Sequence, residues 1–144
     1  MKDQMVITGG NVSPTKTDKR WGFETLFGVT NRIALKQVTI KPRQALSQQF
    51  HCSKDELYLV VEGQGRLELG RNAEVVHELS VGDVVRIPPL TIHRLIAASE
   101  GIVIIEASTP EVTDIIRLSD RYDRAVTPNV DPVVYGQALR TGTI

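Results

Sequence analysis

Between residues 33 and 109 the chain alternates short apolar runs with polar turn clusters, and no stretch carries a sustained helical period. The runs cover residues 33–40, 46–50, 56–62, 66–69, 74–79, 84–87, 92–97 and 102–108 and are rich in Val, Ile and Leu. Turn-forming residues separate them: Lys41-Pro42, Glu62-Gly63-Gln64-Gly65, Gly70-Arg71-Asn72, Val81-Gly82-Asp83, Pro88-Pro89 and Ser99-Glu100-Gly101. Short strands at a spacing of about ten residues, with no helices between them, predict an all-β sandwich or barrel. Residues 20–30 mix aromatics with glycine and predict a first or edge strand. Residues 115–124 predict a strand ending in one helical turn capped by Ser119.

The ends read differently. Residues 1–18 are polar, with glycines, Asn11 and Pro14 close together, and predict a loose arm before a domain over residues 19–124. The tail, residues 125–144, holds three chain breakers (Pro128, Pro132, Gly136) yet also Val130, Val133, Val134, Tyr135 and Leu139. Such a tail is expected to lie on its own barrel or on that of a partner.

Composition narrows the class. The chain has 144 residues, enough for one domain with its own core. Lys+Arg and Asp+Glu number 17 each, and the resulting zero net charge argues against a general nucleic-acid binder or a polybasic membrane surface. No apolar run has the length of a membrane span. The first residues lack a secretory h-region, and the single cysteine, Cys52, excludes an internal disulfide. A reducing cytoplasm is the expected compartment.

The candidate chemistry lies around two of the three histidines. In Gln49-Phe50-His51-Cys52-Ser53-Lys54-Asp55-Glu56, the i, i+2 spacing puts Gln49 and His51 on one strand face. Residues 52–55 can turn the chain, so that Glu56 opens the next strand toward the same pocket, and Gly63 would end that strand in a tight turn. In Gly82-Asp83-Val84-Val85-Arg86-Ile87-Pro88-Pro89-Leu90-Thr91-Ile92-His93, a strand enters a proline turn and His93 opens the next strand. An amide oxygen, two imidazoles and a carboxylate form a mixed N/O set that suits Zn²⁺, Fe²⁺, Mn²⁺ or Ni²⁺ and leaves positions open for water or ligand. Cys52 points off that face, and His77 lies on a strand distant from both segments.

These segments resemble the two motifs of the cupin superfamily, G-x5-H-x-H-x(3,4)-E-x6-G and G-x5-P-x-G-x2-H-x3-N. His51, Glu56 and Gly63 match the first, and Gly82, Pro88 and His93 match the second, with Gln49 where the first histidine usually stands. Within the superfamily the chain is similar to the cupin domain of mannose-6-phosphate isomerases, above all the C-terminal domain of bifunctional mannose-1-phosphate guanylyltransferase/isomerases. The carriers are Lys19-Arg20-Trp21-Gly22, residues 46–51, residues 87–95 and residues 114–124, in order over roughly residues 19–124. Departures fall at Cys52, Ser53 and Leu57, where that family has histidines, and at Leu90, where it has glycine.

The resemblance implies a single-domain cupin jelly-roll β-barrel and a homodimer. It implies one divalent metal per chain on Gln49, His51, Glu56 and His93, with zinc the expected ion and Mn, Fe or Ni the alternatives. The implied activity is sugar-phosphate isomerisation. Lys54 is then the candidate proton carrier or phosphate anchor, Arg86, Arg94 and Arg117 the candidate anion contacts, and Tyr58 a residue that can line the cavity. The alternatives are a non-catalytic small-molecule or sugar-binding cupin and an iron-dependent dioxygenase.

Overall fold

A computed structural model of the chain describes residues 9–140. Nine antiparallel strands precede one helix: β1 Thr15–Lys19, β2 Gly22–Val29, β3 Ala34–Ile40, β4 Gln48–Phe50, β5 Glu56–Leu69, β6 Val75–Leu79, β7 Val84–Ile87, β8 His93–Ser108, β9 Ile116–Ser119 and α1 Pro132–Arg140. The architecture is the all-β cupin jelly roll, in which a curled sheet wraps an apolar core. Inward positions alternate along each strand: Glu56, Tyr58 and Val60 of β5 are buried while Leu57, Leu59 and Val61 are exposed. The core gathers Trp21, Val38, Ile40, Tyr58, Val60, Leu67, Leu95, Ile102 and Ile104 from β3, β5, β8 and the turn before β2.

The two long strands build the barrel. The first half of β5 pairs with the second half of β8, and the second half of β5 with the first half of β8. One layer then runs β1-β2-β3-β8-β5-β7 and the other β9-β4-β8-β5-β6. The crossing point is a bulge: Gly63 pairs with Ile102 and Gly65 with Ala97, so residues 98–101 of β8 oppose only Gln64. Gly63 and Gly101 both have positive φ, 76° and 81°. A Cβ on Gly63 would collide with the Gly101 carbonyl oxygen. Both glycine-rich segments expected as turns are therefore kinks inside continuous strands. Gly-rich sequence supplies positive φ in either setting, and only the pairing partner decides between them.

The kink matters for function. An extended β8 would hold its ends about 50 Å apart. Glu56 pairs with Ser108 at one end of β8, yet its carboxylate lies 3.5 Å from His93 at the other end. Bending at the bulge closes this distance.

The ends differ from the sequence reading in detail. Residues 15–18 of the expected arm belong to β1, which pairs along β2, while residues 1–8 lie outside the described residues. After β9 the chain turns without a helix. Asp120, not Ser119, accepts the Tyr122 and Arg124 amides, at 3.2 and 3.0 Å. The tail forms α1, which the sequence reading left out. Asp131 caps it by accepting the Val133 amide at 2.8 Å, and Pro132 occupies the first helical position. Its Val134, Tyr135 and Ala138 pack on Phe50, Leu90 and Ile92 of the same barrel. Residues 141–144 lie outside the described residues.

Replacing Gly63 by alanine combines left-handed strain with a backbone clash. We expect a loss of about 2–4 kcal/mol of stability, measured by denaturant unfolding, and weaker divalent-metal binding because the bend that brings Glu56 to His93 is disturbed.

Candidate metal centre

Strand pairing brings the candidate ligands together. Gln49 of β4 is the direct cross-strand partner of His93 at the start of β8. His51 follows β4 by one residue, and Glu56 opens β5 after a four-residue turn. Asp114 holds that turn: its carboxylate accepts the amides of Cys52, Ser53 and Lys54 at 2.9, 2.7 and 3.0 Å. One donor atom from each of His51, Glu56 and His93 lies within 4.8 Å of the others, and all three residues are buried. Glu56 Oε2 is 3.1 Å from His51 Nε2 and 3.5 Å from His93 Nε2.

Hydrogen bonding sets what these atoms offer. His51 Nδ1 lies 2.5 Å from the Asp114 carbonyl oxygen and His93 Nδ1 2.9 Å from that of Thr91. A carbonyl only accepts, so each Nδ1 carries a proton and each ring turns its Nε2 inward. Metal-ligating histidines are oriented in this way. Glu56 Oε2, His93 Nε2 and Gln49 Oε1 are all buried, and no donor serves them among the described residues. The bond from His51 Nε2 to Glu56 Oε2 needs a second proton on His51. Three buried acceptors with few donors cost free energy unless a cation satisfies them. The residues therefore fit a divalent metal held by Gln49, His51, Glu56 and His93.

Electrostatics agree. Burial alone would raise the Glu56 carboxyl, but the His51 hydrogen bond and the charges of His93, His51 and Lys54 outweigh it and hold the group at about 2. Burial pushes His93 down to about 4 against the pull of Glu56, so its ring is neutral near pH 7 and its lone pair is available. Lys54 is buried between two carboxylates, with Nζ 3.2 Å from Glu56 Oε1 and 3.0 Å from Glu106 Oε2. Burial works to lower its pKa, but Glu106 and Glu56 prevail and raise it, so the ammonium stays charged.

A cavity of about 200 Å³ opens from these residues. Taking about 30 Å³ per water, it holds roughly seven waters or a small polar molecule. Tyr58 and Lys54 line it, as does Arg117. Arg86 and Arg94 do not line it. Arg86 is exposed on β7 and pairs with Asp55 at 3.0 Å, and Arg94 donates to Ser119 Oγ at 2.5 Å. Sequence reasoning missed Glu106, Lys19 and Arg124, which line the cavity, and Asp114, which orients His51. Glu106 was accessible to strand parity, since it shares a face with the buried Ile102 and Ile104. Burial, then the Glu56 charge, raises its pKa against the pull of Lys54 and Lys36.

Fold and donor set together define a cupin with a candidate metal centre. Residues 12–120 match the profile of the mannose-6-phosphate isomerase C-terminal family, and the chain belongs to that family. It is 30% identical over 135 residues to the alginate biosynthesis protein AlgA of Pseudomonas putida, covering 87% of this chain and 27% of AlgA. It is 29% identical over 111 residues to the mannose-1-phosphate guanylyltransferase ManC of Salmonella typhimurium, covering 72% of this chain and 22% of ManC. The chain thus spans about a quarter of the length of these curated relatives. An RmlC-like cupin from Shewanella frigidimarina shares the fold at a TM-score of 0.58 and 17% identity, over 67% of this chain and 84% of that one.

Elemental analysis of protein purified without chelator is expected to give about one divalent ion per chain. His93→Ala should remove it while circular dichroism still reports a β fold. Gln49→Ala should weaken binding less, because a neutral amide oxygen is the poorest donor of the four. An unmetallated wild type after exposure to Zn²⁺, Mn²⁺, Fe²⁺ and Ni²⁺ would contradict the assignment.

Proposed function

We propose that this chain is a metal-dependent isomerase of phosphorylated sugars, interconverting an aldose phosphate and its ketose. The supporting observation is the polarity of the cavity. Gln49, His51 and Glu56 are buried within it, whereas Lys19, Arg117 and Arg124 line it as half-buried cations. A ligand that carries hydroxyl or carbonyl oxygens and an anionic group complements both sets of residues. Arg124 is partly neutralised by its two-pronged pair with Asp120, leaving Arg117 and Lys19 as the stronger anion contacts.

When bound, a divalent metal would supply carbonyl polarisation. The chain's own residues would do the rest. Isomerisation takes a proton from C2 and returns it to C1, while a hydroxyl proton passes from O2 to O1. Glu106, a cavity carboxyl outside the metal set whose pKa is raised, is the proton carrier we favour. Lys54, held charged by two carboxylates, would serve as a donor rather than a base. The departures from the family pattern at Cys52, Ser53 and Leu57 are exposed positions outside the cavity lining, so they leave this machinery untouched.

The test is incubation of Zn²⁺- or Mn²⁺-loaded protein with mannose 6-phosphate and other aldose phosphates, with ketose formation followed by NMR. Conversion is expected, and Arg117→Gln should raise KM by about tenfold or more through loss of a charged hydrogen bond. Binding without conversion would favour a non-catalytic sugar-phosphate binder. Absence of both would overturn this reading and that one together.

We further propose that the chain acts as a cytoplasmic homodimer. The exposed Cys52 thiol fits a reducing compartment, and no helix among the described residues is long and apolar enough to cross a membrane. For the dimer, the outer face of β7-β5-β8-β3 carries exposed Val84, Leu57, Leu59 and Leu35 in adjoining register rows, with exposed Val61 at the irregularity that follows on β5. With β2 added, four strands of about seven residues and the shorter β7, about 4.8 Å apart, give a face of about 500 Å². Two copies then bury about the 1,000 Å² that a specific interface needs. Zero net charge removes long-range repulsion between copies. Sedimentation equilibrium should give twice 15.9 kDa, and Leu59→Lys should give a folded monomer; an unchanged mass for that variant would place the interface elsewhere.

A further inference from the structure

Lys54 divides the two oxygens of Glu56. Oε1 lies 3.2 Å from the Lys54 ammonium, while Oε2 faces the Nε2 atoms of His51 and His93 at 3.1 and 3.5 Å. A free carboxylate can grip a divalent ion with one oxygen or with two. One whose second oxygen is bound to an ammonium has a single oxygen left to give. Lys54 is itself fixed at both ends. Its amide donates to Asp114 Oδ2 at 3.0 Å, and its Nζ reaches Glu106 Oε2 at 3.0 Å. Glu106 is set by β-pairing opposite Lys36 on one side and Tyr58 on the other.

We propose that Lys54 is a positioning residue: it restricts Glu56 to single-oxygen coordination, so that a bound ion keeps positions free for the oxygens of a small-molecule ligand. This rests on the metal-centre reading above and deepens it. Gln49, two imidazoles and one Glu56 oxygen fill four positions of an octahedral ion and leave about two, whereas a two-oxygen Glu56 would leave about one. The ammonium also places positive charge close to the ion, which keeps the ion from binding more tightly than exchange allows.

The experiment uses Mn²⁺ as the probe, with two readouts that need no substrate. Water-proton relaxation per bound Mn²⁺ counts the waters exchanging on the ion, and chelator competition gives affinity. For Lys54→Met, relaxation per bound ion should fall about twofold as Glu56 turns its second oxygen inward. Affinity should rise about tenfold or more, because a cation beside the ion is gone. The single variant leaves Glu106 buried without its partner, so Lys54→Met/Glu106→Gln is measured beside it. That pair removes one positive and one negative charge, so relaxation should fall as before while affinity stays within about threefold of wild type.

A lysine that only supports the fold would give weaker binding and a lower melting temperature at unchanged relaxation per bound ion. That pattern, or unchanged relaxation in the double variant, overturns the proposal and leaves the metal centre standing. A wild type that binds neither Mn²⁺ nor Zn²⁺ overturns the metal centre itself, and this role with it.

Discussion

A carboxylate with 1% of its side chain exposed, inside an apolar barrel, is the constraint to which most of the structure around the site answers. An ionised group in such a place is costly unless opposite charge and donors surround it. Lys54 meets that demand on Oε1, while Oε2 faces the two imidazoles without a donor and is the oxygen a cation would satisfy. Each partner then creates a demand of its own. Lys54, buried in turn, takes Glu106 as a second counter-charge. The imidazoles can face inward with lone pairs only because Thr91 and Asp114 present carbonyls to their far sides. The bulge at Gly63 and Gly101 brings Glu56 and His93 from opposite ends of β8 into the same few ångströms.

Much of this was legible in the sequence, and the failures have physical reasons. The strands and the meeting of His51, Glu56 and His93, with Gln49 paired to His93, follow from alternation and from the two motif segments. Arg86 and Arg94 could have been set aside by the same alternation. Each stands beside a residue with a buried side chain, Ile87 and His93, and a strand side chain next to an inward one points outward. Glu106 was hidden in an otherwise apolar run, although its parity marked it as inward. The glycine-rich segments misled because residues permitting positive φ suit a turn and a bulge equally. Asp114 heads one of the family-like segments, but nothing local gave its role, since its contacts with residues 51–54 join segments about sixty positions apart. The helix did announce itself, in the Asp131-Pro132 pair that caps and starts it, but the breakers around it masked that signal.

The departures from the family pattern are not equivalent. Cys52, Ser53 and Leu57 change exposed positions and leave the cavity wall as it was. Leu90 is different. It adopts a φ of 63°, the left-handed region in which glycine costs least, and its amide donates to the His51 carbonyl at 2.7 Å. The backbone here keeps a shape suited to glycine while carrying leucine, and the side chain packs with Phe50, Ile92 and the helix. Apolar contact thus offsets backbone strain of order 1–3 kcal/mol, and it ties the tail helix to the loop leading into His93.

The clasp made by Asp114 has a consequence for how the molecule comes together. Its carboxylate fixes the turn between His51 and Glu56 while its carbonyl fixes the His51 ring, across separations of 60 to 63 residues. Contacts so distant along the chain carry a loop-closure cost and cannot form before both segments are in place. The nascent chain can emit every ligand residue and still own no organised site, which arises only once the segment before β9 has docked. An ion taken up by this site would then be held by the closed barrel, because without Asp114 the turn that joins His51 to Glu56 lacks its clasp.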